Sequence, residues 1–247
     1  MRDDAVGGWH AVLALLKVAP ERVLSIALDA SRKGPRRAEL QEAARRAGVA
    51  IEDSNNDNLD RLAGNTQHQG VVARCRPAKE LGEADLPAFL SKLTDAPFLL
   101  VLDGVQDPHN LGACLRSADA AGVQAVIVPR DNSAPLTPVV RKVASGAAET
   151  VPLFRVTNLA RTLDVLKEAG VWLVGATGDT DTALYSVDLS GPLALILGAE
   201  GEGLRRLTRE KCDHLVRIPM AGTVESLNVS VATGVCLFEA VRQRRTG

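Results

Sequence analysis

Phe98-Leu-Leu-Val-Leu102 is an unbroken run of five apolar residues, too short for a helix and without the alternation of a half-buried strand. Such a run suits a strand covered on both faces, as in a parallel sheet flanked by helices. Working outward, further strands are expected at Ala125 to Val128, Val151 to Phe154, Val171 to Gly175, Leu193 to Leu197 and His214 to Ile218, with helical patterns between most of them. Toward the N-terminus, Gly8 to Lys17 and Arg36 to Ala47 read as helices. Arg22 to Leu28, Val49 to Glu52 and Gly70 to Arg74 read as strands, with a short helical patch around Leu59 to Leu62. Alternating strands and helices imply an α/β fold. Between the two blocks, the segment from Pro77 to Pro87 loses its periodicity to two prolines and several charges, and reads as a linker.

Composition narrows the class. The 247 residues are 46% apolar with a net charge of −1, which fits an ordinary soluble protein. The longest apolar runs fall well short of the roughly 18 residues that a membrane span needs. The first nine residues show no basic segment followed by a long apolar one, so no secretory leader is expected. Cys75, Cys114, Cys212 and Cys236 are widely spaced and form no C-x-x-C pair, which points to reduced thiols in a cytoplasmic protein and away from structural zinc. Basic residues cluster at Arg32 to Arg37, Arg45-Arg46, Arg74-Cys-Arg76, Arg205-Arg206 and Arg242 to Arg245. Each cluster alone reads as a solvated face; together they favour an RNA partner, because affinity for phosphates follows local charge.

No P-loop, H-E-x-x-H or G-x-S-x-G pattern occurs, and the four histidines lack metal-ligand spacing. Three segments instead combine a strand end, Gly or Pro, and isolated polar groups: residues 102–119, residues 196–207, and a loop from Arg217 that feeds Ser226 and Asn228 into the helical run 228–239. That last run carries no charge until Glu239, so it is expected to be covered on all sides, inside a core or between subunits. Taken singly, Asn110, Ser226 and Asn228 read as helix caps, Arg116 as a solvated residue beside an apolar stripe, and Glu200 as an exposed turn residue.

In order and spacing, the three segments resemble the signature motifs of the SpoU branch of the SPOUT RNA 2'-O-ribose methyltransferases. The N-terminal block, with Gly8 to Leu16 and His68-Gln-Gly-Val-Val72, resembles the small L30/L7Ae-like substrate-binding domain of members that methylate a guanosine in the P loop of 23S rRNA. The resemblance implies an RNA-binding domain at 1–77, a linker at 78–95 and a methyltransferase domain at 96–247. It also implies a deep C-terminal trefoil knot, S-adenosylmethionine as cofactor, no metal, and a homodimer formed through the C-terminal domain, with 23S rRNA as the partner. Carried onto this chain, the catalytic positions are Asn110, Arg116, Glu200, Ser226 and Asn228, and the cofactor positions are Gly198, Ile218 and Leu227. RNA contacts are expected from Arg36, Arg37, His68, Gln69 and Arg74, although His68-Gln-Gly70 reads equally as a tight turn. The competing expectations are a tRNA methyltransferase and an inactive RNA-binding or ribosome-assembly protein.

Overall fold

The computed structural model describes residues 3–64 and 68–246. Two compact units emerge, Met1–Lys79 with Leu136–Thr150, and Glu80–Pro135 with Val151–Gly247. The first unit runs β1 (Asp4–Gly7), α1 (Trp9–Val18), β2 (Val23–Asp29), α2 (Pro35–Ala47), β3 (Ile51–Ser54), α3 (Asn56–Ala63) and β4 (Val71–Cys75). Its sheet has the order β1-β4-β2-β3, with β4 antiparallel to β1 and β2, and β3 parallel to β2. Successive side chains of a strand face opposite ways. Val71, Ala73 and Cys75 accordingly join the core with Val12, Leu15 and Leu40, while Val72 packs with Leu59 and Ala63 of α3. The four-residue β1 escaped the sequence reading because it is too short to show a period.

The second unit holds α4 (Leu86–Leu90), β5 (Phe98–Asp103), α5 (Pro108–Ala121) and β6 (Ala125–Pro129). After α6 (Pro138–Ala144) and α7 (Ala147–Thr150), which pack with the first unit, it resumes with β7 (Leu153–Val156), α8 (Leu159–Glu168), β8 (Trp172–Ala176) and β9 (Leu193–Gly198). It closes with α9 (Arg206–Lys211), β10 (His214–Val216) and α10 (Val229–Thr246). The six-stranded sheet is parallel throughout, in the order β10-β8-β9-β5-β6-β7. Every residue of β5, β6 and β9 is buried, as the unbroken apolar runs require. Strand order reverses between β5 and β9, and ligands of open α/β sheets bind beyond the carboxyl ends of the strands at such a reversal.

Three segments show packing that the sequence reading did not describe. Segment 136–150, expected within the methyltransferase domain, makes its contacts with the first unit. There the carboxylate of Glu149, with 2% of its side chain exposed, takes hydrogen bonds from Arg22 and Arg141. The expected linker is partly folded: Arg155 N–H donates to the Leu81 carbonyl, Leu86 is buried, and the Phe89 ring meets Phe154 edge-on at 5.2 Å. Prolines broke its periodicity, yet single apolar residues still found the core. Finally, α10 buries Val229, Thr233, Cys236, Leu237 and Ala240 and leaves Val231 and Phe238 half exposed, so this chain covers only part of a helix expected to lie in a core or between subunits.

Candidate active site

β5 and β9 pair in register from Phe98 opposite Leu193 to Asp103 opposite Gly198, so their carboxyl ends stand side by side. Beyond β5, the Asp107 carboxylate accepts from the backbone N–H groups of His109 and Asn110 at 2.6 and 3.0 Å and starts α5. Asp107 is therefore the cap. Asn110, which could have been read as one, lies in the first helical turn with a side chain that does no capping. Beyond β9 the chain doubles back, with Gly203 N–H donating to the Ala199 carbonyl at 2.9 Å. A Cβ on Gly198 would lie 2.0 Å from the Gly203 carbonyl carbon. Glycine is needed at 198 because the protein's own main chain passes that close.

Glu200 leaves this turn toward the two asparagines. Its Oε1 accepts from Asn110 Nδ2 at 3.2 Å, from Val229 N–H at 3.3 Å and, at short range, from Asn228 Nδ2. Asn228 Nδ2 also donates to Asn110 Oδ1 at 3.0 Å, and Asn228 Oδ1 accepts from Ser230 N–H and Oγ–H at 3.0 and 2.6 Å. The carboxylate therefore sits at the N-terminus of α10, where the helix dipole and unpaired N–H groups favour negative charge. Three residues from three remote segments form one hydrogen-bonded cluster.

The other expected positions lie apart from it. Arg116 is exposed on α5 and makes none of the cluster's hydrogen bonds. Six residues of α-helix rotate by about 600°, which turns Arg116 roughly 120° away from the face that carries Asn110. Ser226 is exposed in the loop before α10, and Ile218 and Leu227, at the two ends of that loop, are half-buried. Among the described residues, none of the backbone N–H groups of 218–227 donates to a backbone carbonyl.

One pair was missed by sequence. Asp103, whose side chain is 0% exposed, accepts from Arg205 N–H and Nε–H at 3.1 and 2.5 Å. It ties the end of β5 to the turn that presents Glu200. The available signal was a lone carboxylate closing an apolar run, with arginine just after the glycine-rich turn.

In the first unit, the expected RNA contacts divide. Arg36 is exposed on the first turn of α2. Arg37 binds Asp53 at 2.7 Å, and Arg74 binds Asp3 at 3.1 Å. His68 is built into a turn: its Nδ1 accepts from Gly70 N–H at 3.0 Å, which leaves the proton on Nε2 to donate to Asp60 at 2.9 Å. Gln69, at φ 51°, offers its carbonyl to Trp9 Nε1–H at 3.0 Å. The tight-turn reading of His68-Gln-Gly70 therefore describes its geometry.

Burial pushes the Cys114 thiol up to about 11 and those of Cys75, Cys212 and Cys236 up to about 12, so none is a nucleophile at neutral pH. Among the described residues there is no cluster of three His, Cys, Asp or Glu side chains able to hold a metal, and no helix is long and apolar enough to cross a membrane.

Fold and cluster together define an α/β protein with its polar site at the carboxyl edge of a parallel sheet, where strand order reverses. The chain belongs to the SpoU rRNA methylase family, whose model matches residues 97–238. Residues 5–81 match the RNA 2'-O ribose methyltransferase substrate-binding family. It is 61% identical to the 23S rRNA (guanosine-2'-O-)-methyltransferase RlmB of Shewanella oneidensis, over 99% of each chain. It is 57% identical to the enzyme of the same name from Escherichia coli, over 98% of this chain and 99% of that one. Among solved structures it resembles the SpoU methyltransferase AviRb of Streptomyces viridochromogenes in complex with AdoMet, with a TM-score of 0.79 and 26% identity over 99% of this chain and 92% of that one. An AdoMet-bound rRNA methyltransferase from Sinorhizobium meliloti gives a TM-score of 0.75 and 25% identity over 98% and 87%.

Proposed function

We propose that this chain transfers the methyl group of S-adenosylmethionine to the ribose 2'-hydroxyl of a guanosine in the P loop of 23S rRNA, as a cytoplasmic homodimer. The Asn110–Glu200–Asn228 cluster carries the reading, supported by full-length relatives that bear this activity's name. The unit built around residues 5–81 would hold the RNA, and the deep trefoil knot of the family is part of the proposal.

The loop before α10 suits the cofactor. Its backbone N–H groups are left for a ligand, and half-buried Ile218 and Leu227 offer apolar surface to an adenine ring. When bound, S-adenosylmethionine supplies a methyl group on a positively charged sulfur. The difficulty for the protein is the weak hydroxyl nucleophile, which must lose its proton while held in line. Glu200 has Oε1 committed to the two asparagines and the α10 N-terminus, so Oε2 holds the ribose. Arg116 orients the nucleotide and stabilises negative charge developing on the 2'-oxygen; a guanidinium stays protonated and is a poor base. Its position on a different face of α5 from Asn110 suits an arginine that serves the partner's site. Val231, half-buried Val235 and Phe238 form an apolar stripe at i, i+4 and i+7 on α10 for that partner.

Tritiated methyl transfer tests the activity: unmodified 23S rRNA should be labelled at one guanosine and bulk tRNA should not. Labelled tRNA would move the chain to the tRNA-modifying reading, and no labelling of either would favour an assembly factor. Val235→Asp tests the dimer, because it places a carboxylate in the proposed interface. A variant still dimeric by sedimentation would show that the interface lies elsewhere.

A further inference from the structure

An aromatic pair lies at the opposite end of the sheet from the Asn110–Glu200–Asn228 cluster. Trp172 opens β8 and His214 opens β10, and their rings stack with centroids 5.5 Å apart and planes 12° from parallel. They border a cavity of about 420 Å³ whose other walls include Val187, Asp188, Leu189 and Pro192. Trp172 is 56% exposed, in a chain with only 3% aromatic residues, whereas Trp9 is 6% exposed. The exposed Trp172 ring, continuous with the apolar cavity wall and stacked on His214, offers a flat contact surface.

The cavity walls are fixed. Gln243 of α10 accepts from Leu189 N–H at 2.8 Å and donates to the Val187 carbonyl at 3.1 Å. Arg244 donates to the Gly191 and Pro97 carbonyls, and Trp172 N–H donates to the Pro192 carbonyl at 2.9 Å. Asp188 Oδ1 accepts both Ser190 N–H and Ser190 Oγ–H, at 2.9 and 2.6 Å. An apolar cleft with parallel rings and one carboxylate at its rim matches a flat heterocycle that carries N–H donors on its edge. Its volume suits a single nucleotide.

We propose that this cleft takes one unpaired purine base of the RNA substrate, which extends the Trp172–His214 stack and presents its amino edge to Asp188. The inference rests on the RNA-methylating reading above. The strand length between the aromatic pair and the carboxyl ends, at least about 13 Å, keeps this base apart from the nucleotide that is methylated. The cleft anchors the RNA, and takes no part in the chemistry.

The test uses the full chain and a 23S rRNA fragment containing the methylated guanosine. Trp172→Ala should weaken fragment binding about tenfold, the scale of one base stacked on an aromatic ring, and raise KM for RNA by a similar factor. The kcat and the affinity for S-adenosylmethionine should stay unchanged, and Trp172→Phe should keep most of the affinity. His214→Ala should show a smaller loss in the same direction. In the wild type, guanosine or adenosine monophosphate should quench tryptophan fluorescence, while ribose 5-phosphate should not. Unchanged RNA affinity in Trp172→Ala overturns the proposal, and so does an equal loss in the Ala and Phe variants. A changed oligomeric mass with RNA affinity intact would mark the surface as a contact between copies and overturn it too. If wild type fails to bind the fragment, the RNA reading itself falls.

Discussion

The two sheets differ in where they put their charge. In the six-stranded sheet, β5, β6 and β9 are buried at every position, and along β5 and β9 polar groups appear only where the strands stop, at Asp103 and in the turn that begins at Gly198. In the four-stranded sheet, β3 keeps no buried residue, and basic side chains lie on the surface around it. Most of those bases are already answered from within: Arg45 and Arg46 share Glu42, Arg37 takes Asp53 and Arg74 takes Asp3. The Asn110–Glu200–Asn228 cluster is set by directional hydrogen bonds among neutral amides and one carboxylate. A phosphate-binding surface is set by the charge left over, which cannot be read by counting arginines.

Deleting residues 1–94 should have the largest effect. It strips α7, on which α6 packs, of its partner α1 in the first unit and exposes the buried Ala147. The remainder should aggregate on expression; a soluble, cofactor-binding fragment would show that segment 136–150 does not need the first unit. Next is Arg116→Ala, which should slow methyl transfer by about a hundredfold or more, as removal of one donor to developing charge does, with S-adenosylmethionine affinity preserved in calorimetry. Mixing inactive Arg116→Ala and Glu200→Ala chains should restore activity if the arginine crosses the dimer, and none if both act within one chain.

A smaller and unequal effect is expected at the pair below the turn. Arg205→Ala removes the guanidinium from the fully buried Asp103 carboxylate, leaving it only the backbone N–H of residue 205, and should cost about 3 kcal/mol. Asp103→Asn leaves a guanidinium that is 46% exposed and can turn to water, and should cost about 1 kcal/mol. Equal losses in denaturant melts would mean that the pair does not restrain the turn. The smallest effect separates adjacent arginines. Arg36→Ala should lower the salt slope of RNA binding by about one, whereas Arg37→Ala should register in stability through lost contact with Asp53. Identical salt slopes for both variants would break the distinction between free and paired bases.

Much of this was legible beforehand. The unbroken run at Phe98 to Leu102 read correctly as a central parallel strand because burial on both faces leaves no room for alternation. The motif residues Asn110, Glu200 and Asn228 were found through resemblance; singly, each had an ordinary structural explanation. The packing of segment 136–150 was not legible because periodicity describes a helix's own faces and says nothing of which unit they cover. Asp103 went unremarked because one carboxylate at a strand end is common, and its value depends on Arg205, more than a hundred residues away.

By itself, the sequence determined element types, the α/β class, and the family with its expected chemistry, since each rests on local periodicity or on motif spacing. Tertiary structure alone decided which polar groups meet. It set Glu200 Oε1 between two asparagines and the N-terminus of α10, filled the space at Gly198 with the protein's own chain, and paired most of the arginines that sequence had left for RNA. The reason is physical: hydrogen bonds and ion pairs depend on distances of about 3 Å, and only packing brings residues far apart in the chain that close.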